Sequence, residues 1–298
     1  MRRARAEWPT LRLMALCYGV WALGTTWAAA LWLPLGIGLT ALAVALHSSL
    51  QHEAIHGHPT PWPRVNAVLM APGLTLLVPY LRFRDTHLDH HDNAVLTDPY
   101  DDPESNYMDP AVWGRLPRPV QALLVVNNTL LGRVTVGTAI GLVAFLLGEA
   151  RLARQGDARV IRGWLWHGPA LLPVAGWLAF VAQMPVWGYL LAAYGGMSLV
   201  RIRTFLEHQA AERASARTAI IEDRGPLAWL FLNNNLHVVH HMHPKVPWYR
   251  LPELYEGNRD RYVRRNGGYV YRSYAEIFRR YLLRPKDPVP HPLWGRRG

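Results

Sequence analysis

The chain has a single cysteine, Cys17, in 298 residues. One thiol excludes an internal disulfide, a four-cysteine iron–sulfur site and a CxxC redox pair. Any electrons that its chemistry needs must therefore come from another protein or an attached domain. Charge is missing as well, and in a pattern. No Asp, Glu, Lys or Arg occurs from Leu13 to His52, or again from Gly163 to Val200. Acids are scarce overall, 21 against 32 Lys and Arg, giving a formal charge of +11. The mean hydropathy of −0.02 resembles that of a soluble protein only because an average hides this segregation. A membrane crossing takes about 20 apolar residues, so each charge-free run is long enough for two crossings joined by a tight turn. Pro34–Gly36 and Met184–Pro185 are the expected turns. There is no internal repeat beyond the two hairpins and no low-complexity tract.

These features predict an all-α membrane protein with two transmembrane helical hairpins, four crossings in all, at about residues 12–50 and 163–200. Interfacial helices and a cytoplasmic, histidine-rich cap (about 82–118 and 201–298) complete a single domain over 1–298. Pro59, Pro61 and Pro63 break the helix that follows the first hairpin. Asn66–Leu81, interrupted by Pro72 and Pro79, is short for a crossing and reads as interfacial or re-entrant. Pro119–Glu149 is apolar but carries Arg133 near its middle. A charge at mid-bilayer is costly, which favours a helix along the interface, bent at Gly132, over a third hairpin. The opening MRRAR and apolar run could be taken for a signal peptide. A secretory apolar region spans about 7–15 residues, however, and this run continues well past Ala30, so an uncleaved first helix is expected. Arg2, Arg3 and Arg5 precede the first hairpin, and Arg201 and Arg203 end the second. Lys and Arg bias toward the cytoplasm then places both termini there.

Histidine is what the chain has in quantity. His237, His240 and His241 stand at i, i+3 and i+4, so on a helix they share one face. His87, His90 and His91 repeat that spacing upstream, and His52 and His56 stand at i and i+4 in HEAIH. Alone, HEAIH would suit a zinc peptidase with Glu53 as base, but that leaves two further clusters unexplained. His208, in FLEHQ, ends the second hairpin much as His52 and His56 end the first. Nine imidazoles are too many for one ion and suit two at four or five each. Imidazole suits iron, zinc, copper or nickel, so ligand type leaves the metal open. His47, His58, His167 and His291 read as structural. A metal-bound His usually gives its other N–H to an acceptor; Glu53, Asp85, Asp89, Asp92, Glu207 and Asn235 are adjacent candidates. Asp98, Asp101 and Asp102 in TDPYDDPES either support the second box or make an Asp–Pro turn, and the turn is the favoured reading. Trp164, Trp166, Trp187 and Tyr189 are expected as interfacial anchors. Arg82, Arg84, Arg201 and Arg203 could hold an acidic head group, or simply mark the positive flank. A non-catalytic metal-binding or metal-transporting membrane protein remains open, although a transporter should place its ligands at mid-membrane rather than at crossing ends.

The ordered boxes HEAIH, HLDHH and HVVHH, with apolar hairpins between the first and third, resemble the membrane fatty acid desaturase family from about Leu46 to Leu254. That resemblance implies two Fe ions in an all-histidine centre, using O2 and two electrons to break an unactivated C–H bond. By motif, the metal ligands would be His52 and His56, then His87, His90 and His91, then His237, His240 and His241, with His208 in addition. The activity it implies is O2-dependent desaturation of a fatty acyl chain in lipid metabolism. Hydroxylation or ketolation of a carotenoid or other lipid is the alternative. HHMHPKVPWYRLPELY is similar to both acyl desaturases and carotenoid ketolases, and FLEHQA is more similar to the desaturase-like members than to alkane hydroxylases. Thr204 stands one turn before His208, where the family has an Asn precedent. The expected partners are a lipid or acyl substrate from the bilayer and an external electron donor such as ferredoxin, docking on the basic face; a nucleic acid is not expected. The expected location is a bacterial inner membrane, with the metal site on the cytoplasmic side.

Overall fold

The computed structural model describes residues 6–91 and 95–294. It is mostly helical. In chain order the elements are α1 (Trp8–Leu31, with a π turn at Gly24–Ala28), α2 (Leu33–Ile55), α3 (Pro63–Met70), α4 (Tyr80–His91), α5 (Arg118–Asn127), α6 (Leu130–Val134), α7 (Val136–Arg154), α8 (Ala158–Phe180) and α9 (Val186–Thr204). They continue with β1 (Ile220–Ile221), α10 (Pro226–Leu230), α11 (His237–Met242), α12 (Leu251–Gly257), α13 (Arg259–Arg265), β2 (Val270–Tyr271) and α14 (Tyr274–Tyr281). Among the described residues three helices are long and apolar enough to cross a membrane by length and composition: α1, α2 and α7. The charge-free run 163–200 also folds as two helices, α8 and α9.

The chain divides into two compact units. The first comprises residues 1–85 and 140–200. Its helices meet through small residues, as packing between helices in lipid requires when no hydrophobic drive separates them from their solvent. A Cβ on Gly36 would come within 2.6 Å of Ala29 Cα, and one on Gly24 within 2.7 Å of Thr40 Oγ1. Gly36 therefore serves the contact between α1 and α2 rather than the turn. The chain reverses earlier, at Trp32, whose extended backbone (φ −159°) separates the two helices. Pro34 sits in the first turn of α2, where its missing N–H costs nothing. The second reversal does fall before Val186, at Ala182–Pro185. Trp21, Val44, Leu74, Val174, Met184 and Tyr189 form the core of this unit. Tyr189 OH accepts from Trp21 Nε1 (3.2 Å) and donates to the Leu74 carbonyl (2.9 Å). Tyr189 is thus wholly buried, and Trp164 donates to Glu149, whereas Trp166 and Trp187 remain exposed as anchors would.

Residues 86–139 and 201–298 form the second unit. Its core gathers Ile220, Leu236, Val238, Val239, Leu251, Tyr255 and Tyr262, and β1 and β2 pair in parallel, Ile220 opposite Val270. The interfacial helix expected over Pro119–Glu149 is not continuous. Thr129 caps α6 by accepting from Gly132 N–H (3.0 Å), and the chain breaks again at Thr135. Arg133 is buried there, with Nη1 bonded to Asn106 Oδ1 and Nε to the Asn127 carbonyl (3.0 Å). The charge thus lies before α7, not within it.

Candidate metal centre

The third box shows why its sequence turns the histidines together. In α11, Val238 and Val239 pack into the core of the second unit, so residues at the complementary spacing, His237, His240 and His241, take the opposite face. Pro244 stands just past the helix end and stops it. Leu232 and Asn233, both with positive φ (53° and 56°), swing the chain into this short helix. On α4, Leu88 and Asp89 are exposed while His87 and His90 are buried. His208 lies four residues past α9, paired with Thr218 in an isolated bridge, and its carbonyl accepts from the buried Lys286 Nζ (2.5 Å).

Seven of the nine expected ligands therefore gather in the second unit. His90, His208, His237 and His241 offer ring nitrogens within 4.8 Å of one another, as do His87, His91 and His240. Nε2 of His237 lies 3.0 Å from Nε2 of His208 and 3.0 Å from Nε2 of His241; Nε2 of His240 lies 3.1 Å from Nε2 of His91. His91 and His241 stack at 4.2 Å between centroids. His52 and His56 belong to the first unit, near the end of α2, with their rings 4.9 Å apart. His47, His58, His167 and His291 have protein partners: Tyr18 OH, Glu7, the Leu76 carbonyl and Thr97 Oγ1.

The other ring nitrogens decide which atoms are free to ligate. Nδ1 of His87 lies 2.8 Å from Glu104 Oε1, Nδ1 of His90 2.8 Å from Asp102 Oδ1, and Nδ1 of His237 3.3 Å from Asn234 Oδ1. Each oxygen calls for a proton on that nitrogen, so in the neutral ring Nε2 is the atom left to ligate. Nε2 of His90 is buried and makes no hydrogen bond. Lone pairs converging in a buried site repel unless a cation lies among them. Nitrogens bound to one metal at about 2.0–2.1 Å stand roughly 3 Å apart, and that is the spacing found. The residues fit a metal site.

Electrostatics agree. Burial first, then neighbouring imidazoles, holds His208, His237 and His241 well below the usual histidine range. Burial likewise pushes His91 down to about 3. His90 departs from this. Burial opposes its protonation too, but Glu104 and Asp102 outweigh it and raise the pKa to about 9. Glu104 is itself held well below its usual value by His90 and His87, against the effect of burial.

Of the expected supporting acids, Glu207 stands 3.7 Å from His237 Nδ1, accepts from Asn234 Nδ2 (3.0 Å) and pairs with Arg203. Glu53 is buried on α2. Asp85 is engaged by Arg84 and Arg82 instead of a histidine, and Asp89 points outward. Asn235 spends its amide on the carbonyls of Ile221 and Asp223; its neighbour Asn234 faces the histidine. Asp92 lies outside the described residues. Asp102, favoured as turn-forming but also weighed as support for the second box, lies 2.8 Å from His90 Nδ1, and Glu104 was not among the candidates. The arginines suggested for a head group are largely committed inside: Arg82 to Glu149, Arg84 to Asp85 and Arg203 to Glu207. A cavity of about 140 Å³ reaches His241 between Leu96, Ser215, Thr218, Met242 and Arg265.

The family model for fatty acid desaturases matches residues 2–273. Two curated relatives are β-carotene ketolases from Paracoccus species. The one from strain N81106 / MBIC 01143 is 30% identical over 227 residues, covering 72% of this chain and 76% of the relative. The one from strain PC1 is 30% identical over 224 residues, covering 72% and 75%.

Proposed function

The chain belongs to the fatty acid desaturase family, and we propose that it is an integral-membrane di-iron oxidoreductase that uses O2 to oxidise an unactivated C–H bond of a long apolar lipid. The observation that carries this reading is the convergence of seven imidazole rings in two groups whose ring nitrogens lie within 4.8 Å of one another, with three Nε2 pairs at 3.0–3.1 Å. His90, His208, His237 and His241 would hold one ion. His87, His91 and His240 would hold the other. Iron fits because it binds O2 and changes oxidation state, which zinc does not; bound there, it would supply O2 activation and hydrogen abstraction.

The protein's own contribution is placement. Asp102, Glu104 and Asn234 fix ring orientation from behind, and the neutral imidazoles leave the site cationic. The apolar helices give a bilayer-dissolved substrate its route in. The ketolase relatives favour a carotenoid, one methylene being hydroxylated twice, each time with one O2 and two external electrons, and the resulting gem-diol losing water to leave a ketone. Fatty acyl desaturation is the second reading, favoured by the family's description. The two diverge after the first hydrogen abstraction, in whether oxygen rebounds to carbon. The proposed setting is a bacterial inner membrane with the site on the cytoplasmic side, and electrons arriving from a soluble carrier.

Lipid and pigment profiling separates these readings. A host making both acyl lipids and β-carotene would express the chain or its His240→Ala variant, with iron measured in both purified proteins. New ketocarotenoid supports the first reading, and new unsaturated acyl chains support the second. The variant should lose iron and at least about a hundredfold of product. A product profile that persists in His240→Ala would defeat the assignment.

A further inference from the structure

We propose that Glu104 is a positioning carboxylate shared by the ligand sets of both ions, coupling the loading of one ion to the loading of the other. The inference rests on the metal-centre reading given above. Oε1 of Glu104 lies 2.8 Å from Nδ1 of His87, a member of the set with His91 and His240. Its Oε2 lies 3.8 Å from Nε2 of His90, a member of the set with His208, His237 and His241. Asp102 and Glu207 each stand against one set; Glu104 stands against both.

The loop that carries Glu104 is built to hold it there. Asp102 Oδ2 accepts from Thr97 N–H (2.8 Å) and Oδ1 accepts from Glu104 N–H (2.9 Å), while Ser105 Oγ donates to the Thr97 carbonyl (2.9 Å). The same Oδ1 lies 2.8 Å from His90 Nδ1. The loop thus ties Glu104 and His90 together through one carboxylate. Two divalent ions bound by neutral imidazoles repel each other. A carboxylate beside both sets lowers that repulsion, so its charge should matter more to the second ion than to the first.

Glu104→Gln keeps the shape and an acceptor for His87 but removes the charge. Metal-stripped wild type and variant would be titrated anaerobically with Fe2+ or Co2+, reading ions per chain, the affinity of each step and the melting temperature before and after loading. Wild type should take two ions. Glu104→Gln should bind the first nearly as well and the second at least about tenfold more weakly. Glu104→Ala, which also releases His87, should weaken both steps. If wild type takes fewer than two ions, the metal-centre reading itself falls, and this inference with it. If wild type takes two and Glu104→Gln takes two just as tightly, only the role of Glu104 is overturned. A metal-free Glu104→Gln protein that melts lower and loses both ions together would make Glu104 a folding residue, and would overturn the coupling as well.

Discussion

His90 brings charge and ligation into direct conflict. With Asp102 on Nδ1 and Glu104 beside Nε2, its pKa of about 9 makes it an imidazolium at neutral pH in the metal-free protein. As a ligand it must be neutral, because the Nε2 lone pair is what binds. Loading an ion at pH 7 should therefore expel this proton. The sign follows: below about pH 9 the affinity of that site should rise about tenfold per pH unit, levelling off above it. His208, His237 and His241 are held low and already neutral at pH 7, so they add no release in this window. Calorimetry in buffers of different ionisation enthalpy reads the proton directly, and loading that ignores pH between 7 and 9 would sink the idea. The histidines themselves were legible because i, i+3, i+4 spacing on a helix needs no tertiary information. Asp102 and Glu104 were not: they sit in a loop whose Asp–Pro pairs read as a turn, and nothing local says that the loop folds back onto α4. Asn235 and Asn234 differ by one position, and the positive-φ pair Leu232–Asn233 decides which of them faces His237.

At the next scale, α4 is the element on which the second box depends, and its first turn is anchored by charge. Arg82 donates twice to Glu149, Nε to Oε2 at 2.7 Å and Nη2 to Oε1 at 3.0 Å, with Trp164 Nε1 adding a third bond (3.0 Å). Gly163 makes room, since a Cβ there would fall 2.6 Å from Arg82 Cδ. Removing one partner of a buried pair strands the other charge and costs about 3–5 kcal/mol, whereas replacing both by apolar residues is often neutral. Glu149→Leu should therefore lower the melting temperature in detergent and reduce metal content, and Arg82→Leu/Glu149→Leu should recover most of the stability. A double variant no better than the single one would refute the anchor. Neither partner's role was visible in advance, because they come from stretches far apart in the chain. Both charge-free runs were visible as helix pairs, since absence of charge over some forty residues survives any detail of packing, but among the described residues the candidate spans are α1, α2 and α7, and neither α8 nor α9 is one of them. The reading of residues 119–149 went differently for a local reason: Arg133 looked like a charge inside a helix, but Thr129 and Thr135 break the chain around it, and α7 starts beyond.

For the whole molecule, the constraint is electron supply. The only cysteine, Cys17, is buried and donates its thiol to the Ala43 carbonyl (3.3 Å), so no thiol relay is available, and the proposed chemistry draws its electrons from outside. The chain carries a formal charge of +11, and exposed basic side chains concentrate on elements such as α13, with Arg261, Arg264 and Arg265. An acidic carrier would be steered to such a surface, and steering weakens as the Debye length contracts from about 30 Å at 0.01 M salt to about 8 Å at 0.15 M. In neutral detergent, where anionic lipid cannot compete for the same charges, the bimolecular reduction rate should fall about tenfold or more over that range. Arg261→Glu/Arg264→Glu should lower the low-salt rate while leaving iron content and melting temperature unchanged, because these two side chains are exposed and lie outside the cavity that reaches His241. Stopped-flow reduction by an acidic ferredoxin measures both effects. Rates indifferent to salt and to the double variant would mean that the carrier docks elsewhere, and that the positive charge serves the membrane surface instead.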